Sequence, residues 1–203
     1  MRTINLLDAD AAATRGSVEI VGRIAPSDLS LPTPCAAWDL RALLAHMTVQ
    51  HRGFAAAAAG RSVSWEPAPS DDPVADYTEA ASAVVAAFAA PGVLDRPFAL
   101  PEIPRAPSFP GRVAIGFHLV DYVVHGWDVA RTLGLPYAPP EEVVAATLPV
   151  ARAVPDGDAR LATDAAFGPG LPVVAGASAL DEILLRLGRD PSWAAPTPLT
   201  PRG

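Results

Sequence analysis

Lysine is missing altogether: all 15 basic residues among the 203 are arginine, set against 22 acidic ones. The formal net charge is −7 and the arginines form no cluster. A nucleic-acid partner held by phosphate contacts is therefore not expected. A single cysteine, Cys35, rules out an intramolecular disulfide and gives no sign of an oxidising compartment. No run of about eighteen uncharged apolar residues occurs, so no membrane span is expected. The first residues, Met1 to Ala13, carry Asp8 and Asp10 and lack a basic stretch followed by an apolar core. They do not read as a signal peptide, and a cytoplasmic protein is the expectation. There is no CxxC pair, no phosphate-cradling glycine loop, no nucleophile-elbow sequence and no internal repeat. Those absences remove the common redox, nucleotide-binding and serine-hydrolase readings.

What is present is apolar and helical. Half of the residues are hydrophobic, with Ala and Val dominant, and the chain is long enough to bury the core of one domain. The pattern predicts a first helix over about Leu6–Ile24, capped by Thr3 or Asn5 and ended by Pro26. A second covers about Leu40–Ala59, from Asp39 as cap to Gly60 as stop. Asp72-Pro73 opens a third over about Val74–Ala90, closed by Pro91-Gly92. A fourth spans about Gly111–Leu133. Two shorter helices follow, one from Pro140-Glu141-Glu142 to about Val154, the other from Ser178 to about Leu187. Pro91–Pro110 is a long proline-dense connection, read as a pocket wall. Arg160–Val174 reads as two short apolar pieces in a small hairpin, and Pro191–Gly203 as a Pro-rich tail. The expected fold is all-α, with a four-helix bundle over residues 1–136 and a smaller C-terminal extension over 137–203 packed on it.

The chemistry concentrates in the fourth helix, in Phe117-His118-Leu119-Val120-Asp121-Tyr122-Val123-Val124-His125-Gly126-Trp127-Asp128. At about 100° per residue, Asp121 and His125 point the same way, one turn apart, and His118 lies about two turns before His125. A carboxylate and imidazoles on one face can share a metal ion, and a capped, hydrogen-bonded core feature is the alternative. His46 adds a second imidazole from the apolar side of the second helix. His51, about 140° further round, sits on its flank, so the two do not easily face one site. Asp128, one turn after His125, can accept a hydrogen bond from that ring or pair with Arg131. Cys35 reads as a buried structural thiol, because no neighbouring charge favours its thiolate. Trp38, Trp127 and Trp193 read as core or pocket-wall aromatics.

Pro32-Thr33-Pro34-Cys35-Ala36-Ala37-Trp38-Asp39-Leu40-Arg41-Ala42-Leu43-Leu44-Ala45-His46 resembles the PTPC-x-x-W-x-(V/L)-R-x-L-L-x-H segment of the DinB-like bundles. Asp121 through Gly134 resembles their E-x-x-x-H-(G/T)-W-D-L-A-R-A-x-G segment, and Leu187-Gly188-Arg189-Asp190-Pro191-Ser192-Trp193 resembles the L-G-R-x-P-x-W close of an actinobacterial subgroup. The characterised relatives this resemblance suggests are mycothiol-dependent maleylpyruvate isomerases and other thiol-dependent transferases. It implies a DinB-like four-helix bundle with a divalent metal, zinc with nickel as the alternative, held at His46, Asp121 and His125. Asp121 stands where that family more often has Glu. The side chain is one methylene shorter, and its oxygen falls short by roughly 1 Å unless the helix or the ion moves in.

The function so implied is a metal-dependent S-transferase or isomerase that uses a mycothiol-type thiol, activated as a thiolate by the metal. In that reading His118 shuttles a proton and Tyr122 donates to an oxyanion. Two rivals stand beside it: a metal-assisted cyclisation, hydrolysis or elimination without a thiol, and a non-catalytic metal- or ligand-binding protein. A small-molecule substrate is expected, and a homodimer is open.

Overall fold

The computed structural model describes residues 4–36, 38–103, 106–161 and 166–195. Six α-helices carry the fold: α1 (Leu6–Val21), α2 (Leu40–Ala58), α3 (Pro73–Phe88), α4 (Gly111–Thr132), α5 (Glu141–Ala153) and α6 (Ala179–Arg186). Polar caps start most of them. The Asn5 carboxamide oxygen accepts from the Asp8 N–H at 2.9 Å, Asp39 from Ala42 at 2.8 Å and Asp72 from Ala75 at 3.0 Å. Thr3, the other cap expected for α1, lies outside the described residues.

Helices α2 and α3 pack as one pair and α1 and α4 as another, with α1 also against α3 and α2 against α4. Leu40, Leu43, Leu44, Met47, Tyr77, Tyr122 and Val129 fill one end of the shared core. Phe54, Phe88, Phe98 and Ile115 fill the other. Helix α5 lies on α4 and α1, and α6 lies on α5, through Val120, Val124, Val144 and Ile183. The result is an all-α helical bundle with C-terminal helices packed on it. Covered from several sides, α4 has buried residues around nearly its whole circumference, as a central helix must.

Several local features differ from the sequence pattern. The inward face of α1 carries Asp10, Thr14 and Ser17 beside Ala9, Ala13 and Val21, a polar stripe that an apolar-periodicity reading passes over. The loop before α2 contains a 3-10 turn, Pro26–Ser30. Helix α5 runs through Pro149 to Ala153, which costs it one backbone donor and no more of its length. No strand occurs among the described residues of Arg160–Val174, where a 3-10 turn (Asp158–Leu161) stands in place of the expected hairpin. The only strands among the described residues lie instead in the Pro91–Pro110 connection, as a two-residue antiparallel ribbon of β1 (Pro97–Phe98) and β2 (Phe109–Pro110). Ala99, Leu100, Pro101, Ala106 and Pro107 of this connection do line a surface cleft of about 460 Å³, opposite Arg61–Val63 and Trp65.

That ribbon delivers the chain to α4 through a contact only glycine permits. The Gly111 N–H donates to the Arg96 carbonyl at 2.8 Å, and a Cβ on Gly111 would lie 1.9 Å from the Val93 carbonyl oxygen. The obstacle is backbone, so relief requires the whole connection to move. Gly111→Ala is expected to destabilise the protein by about 2–3 kcal/mol, as over-packing against fixed atoms does. Urea unfolding monitored by circular dichroism checks this, and an unchanged midpoint would show the connection to be loosely docked.

Candidate metal centre

His46 leaves α2 on the same side from which Asp121 and His125 leave α4. One ligand atom from each of the three lies within 4.8 Å of the other two. Among the described residues this is the one such group of three or more His, Cys, Asp or Glu side chains. His125 Nε2 and Asp121 Oδ1 are 3.3 Å apart. Two donors bound to a tetrahedral zinc at ordinary distances are separated by roughly 3.3–3.4 Å, so this pair already has the spacing an ion requires. The shorter side chain of Asp121 does not prevent convergence. It remains 18 % exposed while His125 is buried, which marks the side from which the group is reached.

His125 is held from behind. Its Nδ1 lies 2.9 Å from Asp128 Oδ2, so the ring N–H donates there and Nε2 faces Asp121. Of the two partners the sequence offered Asp128, His125 is present and Arg131 is not; its cationic partner is Arg189, which follows α6. Arg189 Nε donates to Oδ1 at 3.0 Å and an Nη to Oδ2 at 3.0 Å, with both residues buried. The Arg131 guanidinium turns to the Pro191 carbonyl at 2.8 Å and lies 5.7 Å over the Trp127 ring. In front, Trp38 packs its ring centroid 4.5 Å from that of His46 and 6.4 Å from that of His125. The Thr33 hydroxyl fixes this turn through the Cys35 and Trp38 carbonyls.

These contacts set the charges. Burial, reinforced by the charge of His125, lowers the pKa of His46 to about 4, so its imidazole is neutral at ordinary pH. Burial also opposes charge on His125, but the Asp121 and Asp128 carboxylates outweigh it and raise its pKa to about 9. Asp121, though penalised by burial, is held below the usual carboxylate range by His125 and His46. Cys35 is half-buried rather than sealed, and an Arg189 Nη lies 3.4 Å from its Sγ. A cation is therefore beside the thiol, contrary to the sequence reading. Burial nevertheless dominates and raises the thiol pKa.

His118 and Tyr122, expected to act on substrate, are placed in the core behind the triad. His118 is buried, with Nδ1 2.6 Å from Asp10 Oδ1 and Nε2 3.0 Å from His51 Nδ1. Both ring nitrogens are thus engaged away from the triad. The Tyr122 hydroxyl donates to the Met47 carbonyl, and its ring stacks on His51 at 3.8 Å. His51 is fully buried, not on a flank, and its Nε2 has no protein partner. Asp10 and Arg189 were the residues sequence reasoning missed. The signal for Asp10 was a carboxylate in phase with the buried face of α1. For Arg189 it was an arginine inside a recurring motif, without a partner to suggest its role. Gln50, buried one turn after His46, donates to Glu102 of the connection before α4. Burial raises the Glu102 pKa, and Asp121 acts in the same direction.

The model for the mycothiol maleylpyruvate isomerase N-terminal domain matches residues 11–130, a span that contains all three triad residues. The chain belongs to this family. Two relatives, both uncharacterized proteins of Mycobacterium tuberculosis, from strains CDC 1551 and H37Rv, are 31 % identical over 153 residues. The matched region is 75 % of this chain and 77 % of each relative. No solved structure matches at a significant level. None of the described helices is long and apolar enough to cross a membrane.

A His/Asp/His cluster of this kind can coordinate a divalent ion, and its protonation state makes a quantitative expectation. With a pKa of about 9, His125 carries a proton at pH 7 that an entering ion must displace, whereas His46 does not. Zinc affinity should therefore rise by about tenfold per pH unit between pH 6 and 8, with release of about one proton per ion. Competition titration against a chelating dye at several pH values measures the slope. A flat profile would remove His125 from the ligand set, as would a His125→Ala variant that kept its affinity.

Proposed function

We propose that this family member is a metal-dependent enzyme of small-molecule metabolism, a transferase or isomerase acting with a low-molecular-weight thiol of the mycothiol type. The observation that carries the metal part is the convergence of His46, Asp121 and His125, with His125 fixed by Asp128. The thiol part is supported by the family alone. Three protein ligands leave a divalent ion, zinc in the first instance, with an open position, where it favours the ionised form of an entering thiol or water near neutral pH.

The chain's own residues define the rest. Asp128 keeps His125 Nε2 directed at the site, and the wall made by Trp38 against both imidazoles limits access of water from that side. Asp121 and His46 are both partly exposed, so an incoming group reaches the candidate ligands from their side without crossing the core. His118 and Tyr122 hold the opposite side rigid through Asp10, His51 and the Met47 carbonyl.

One observation favours a second reading, a metal-assisted reaction with water. The cation beside the site, Arg189, already has its donors on Asp128, the Leu187 carbonyl and Cys35, and the carboxylate of Glu102 is near enough to Asp121 for the two charges to repel. Such a lining does not select an anionic cofactor. Calorimetric titration of mycothiol into zinc-loaded protein and into a His46→Ala variant separates the two. Binding that requires the intact triad, with micromolar to millimolar Kd, is the expected outcome. No binding to the loaded protein would transfer the assignment to the water-dependent reaction.

A further inference from the structure

Arg189 lies beyond the stretch matched by the family model, yet it reaches Asp128, the residue that holds His125 from behind. It sits after α6, is 5 % exposed, and spreads its donors over both oxygens of Asp128, the Leu187 carbonyl and the Cys35 sulfur. The Asp128 carboxylate is 0 % exposed and has two kinds of neighbour, the His125 ring N–H and the Arg189 fork. Its Oδ2 receives His125 from one side and Arg189 from the other. The plane of the carboxylate is thus set by the guanidinium, and the plane of the imidazole by the carboxylate.

We propose that Arg189 is a positioning residue for the metal site, tuning its affinity through Asp128 and His125 without touching the ion. The inference rests on the reading of His46, Asp121 and His125 as ligands. Its physical basis is the geometry of the fork. A planar guanidinium bonded to two oxygens fixes the direction of both lone-pair sets, which a point charge does not. With the fork removed, a buried carboxylate has only the imidazole to orient it, and Nε2 loses a fixed aim. Groups that orient a ligand in this way typically change metal affinity by 10–100-fold. A further consequence is reciprocity: whatever Arg189 contributes to metal binding, the metal contributes to the seating of the segment around Arg189.

The test is a double-mutant cycle in the full chain, read as zinc affinity by competition titration at one pH, with helix content checked by circular dichroism. Arg189→Met and Asp128→Asn should each lower affinity by about 10–100-fold. The double variant should be no weaker than the weaker single, because both act through the same imidazole. Arg189→Lys keeps the charge and loses the fork, so it should fall between parent and Arg189→Met; it also serves if Arg189→Met does not fold. Affinity within twofold of the parent in folded Arg189→Met or Arg189→Lys would overturn the proposal, and so would fully additive losses. Parent protein that binds zinc no better than His46→Ala would instead overturn the ligand assignment, and this inference with it.

Discussion

His125 stands between two carboxylates, and the candidate site depends on that arrangement. Nε2 meets Asp121 at 3.3 Å and Nδ1 meets Asp128 at 2.9 Å, on a ring that is buried. Burial alone would strip the charge from an imidazole. Two flanking anions reverse the outcome, so the unloaded site carries a proton where an ion would sit. The net charge of the pocket is thereby kept near balance whether or not a metal is present. Arg189 extends the balance outward by neutralising Asp128, and the Trp38 ring packs beside both imidazoles on the other side.

Behind the site lies a second polar array that does different work. Asp10, His118 and His51 form a buried chain, flanked by the rings of Tyr122, Phe54 and Phe88. Ser17 and Tyr77, 2.6 Å apart, add a hydroxyl pair between α1 and α3. Polar contacts in the bundle interior are few alternatives to one another: each has a single geometry that satisfies it, so they fix the rotation and register of α1 against α4, α2 and α3. Apolar packing alone would tolerate neighbouring registers. The helix that bears two of the three candidate ligands is therefore anchored by groups one and two turns away from them.

The helices were legible because caps and prolines punctuate them: Asn5, Asp39, Asp72 and Ser178 all lie where a side chain takes up free backbone donors. The pairing of Asp121 with His125 followed from helical spacing, His46 joined them as an imidazole on the apolar side of a second long helix, and the family resemblance pointed to the same three positions. What escaped was whatever depends on helix rotation about neighbours. His118 shares a face with His125 on a bare helix, yet in the bundle Asp10 and His51 take both of its nitrogens. No pattern on α4 encodes a carboxylate from α1. The same holds for Arg189, whose partner lies 61 positions earlier, and for Cys35, which gains a cationic neighbour from 154 positions away. The ribbon at Pro97–Phe98 and Phe109–Pro110 is too short for any period-two signal.

The separation between Cys35 and Arg189 also orders events in folding. The α2–α3 pair closes through a connection of 14 residues, whereas a contact across 154 positions must wait until most of the intervening chain is ordered. Closing the larger loop costs only roughly 0.8 kcal/mol more than closing the 61-position loop to Asp128, by the logarithmic dependence on length. The delay is thus kinetic more than thermodynamic. His46 meets Asp121 and His125 across a longer stretch of chain than the one between Asp128 and Arg189, and the imidazole at position 125 has its final aim only once the segment after α6 is in place.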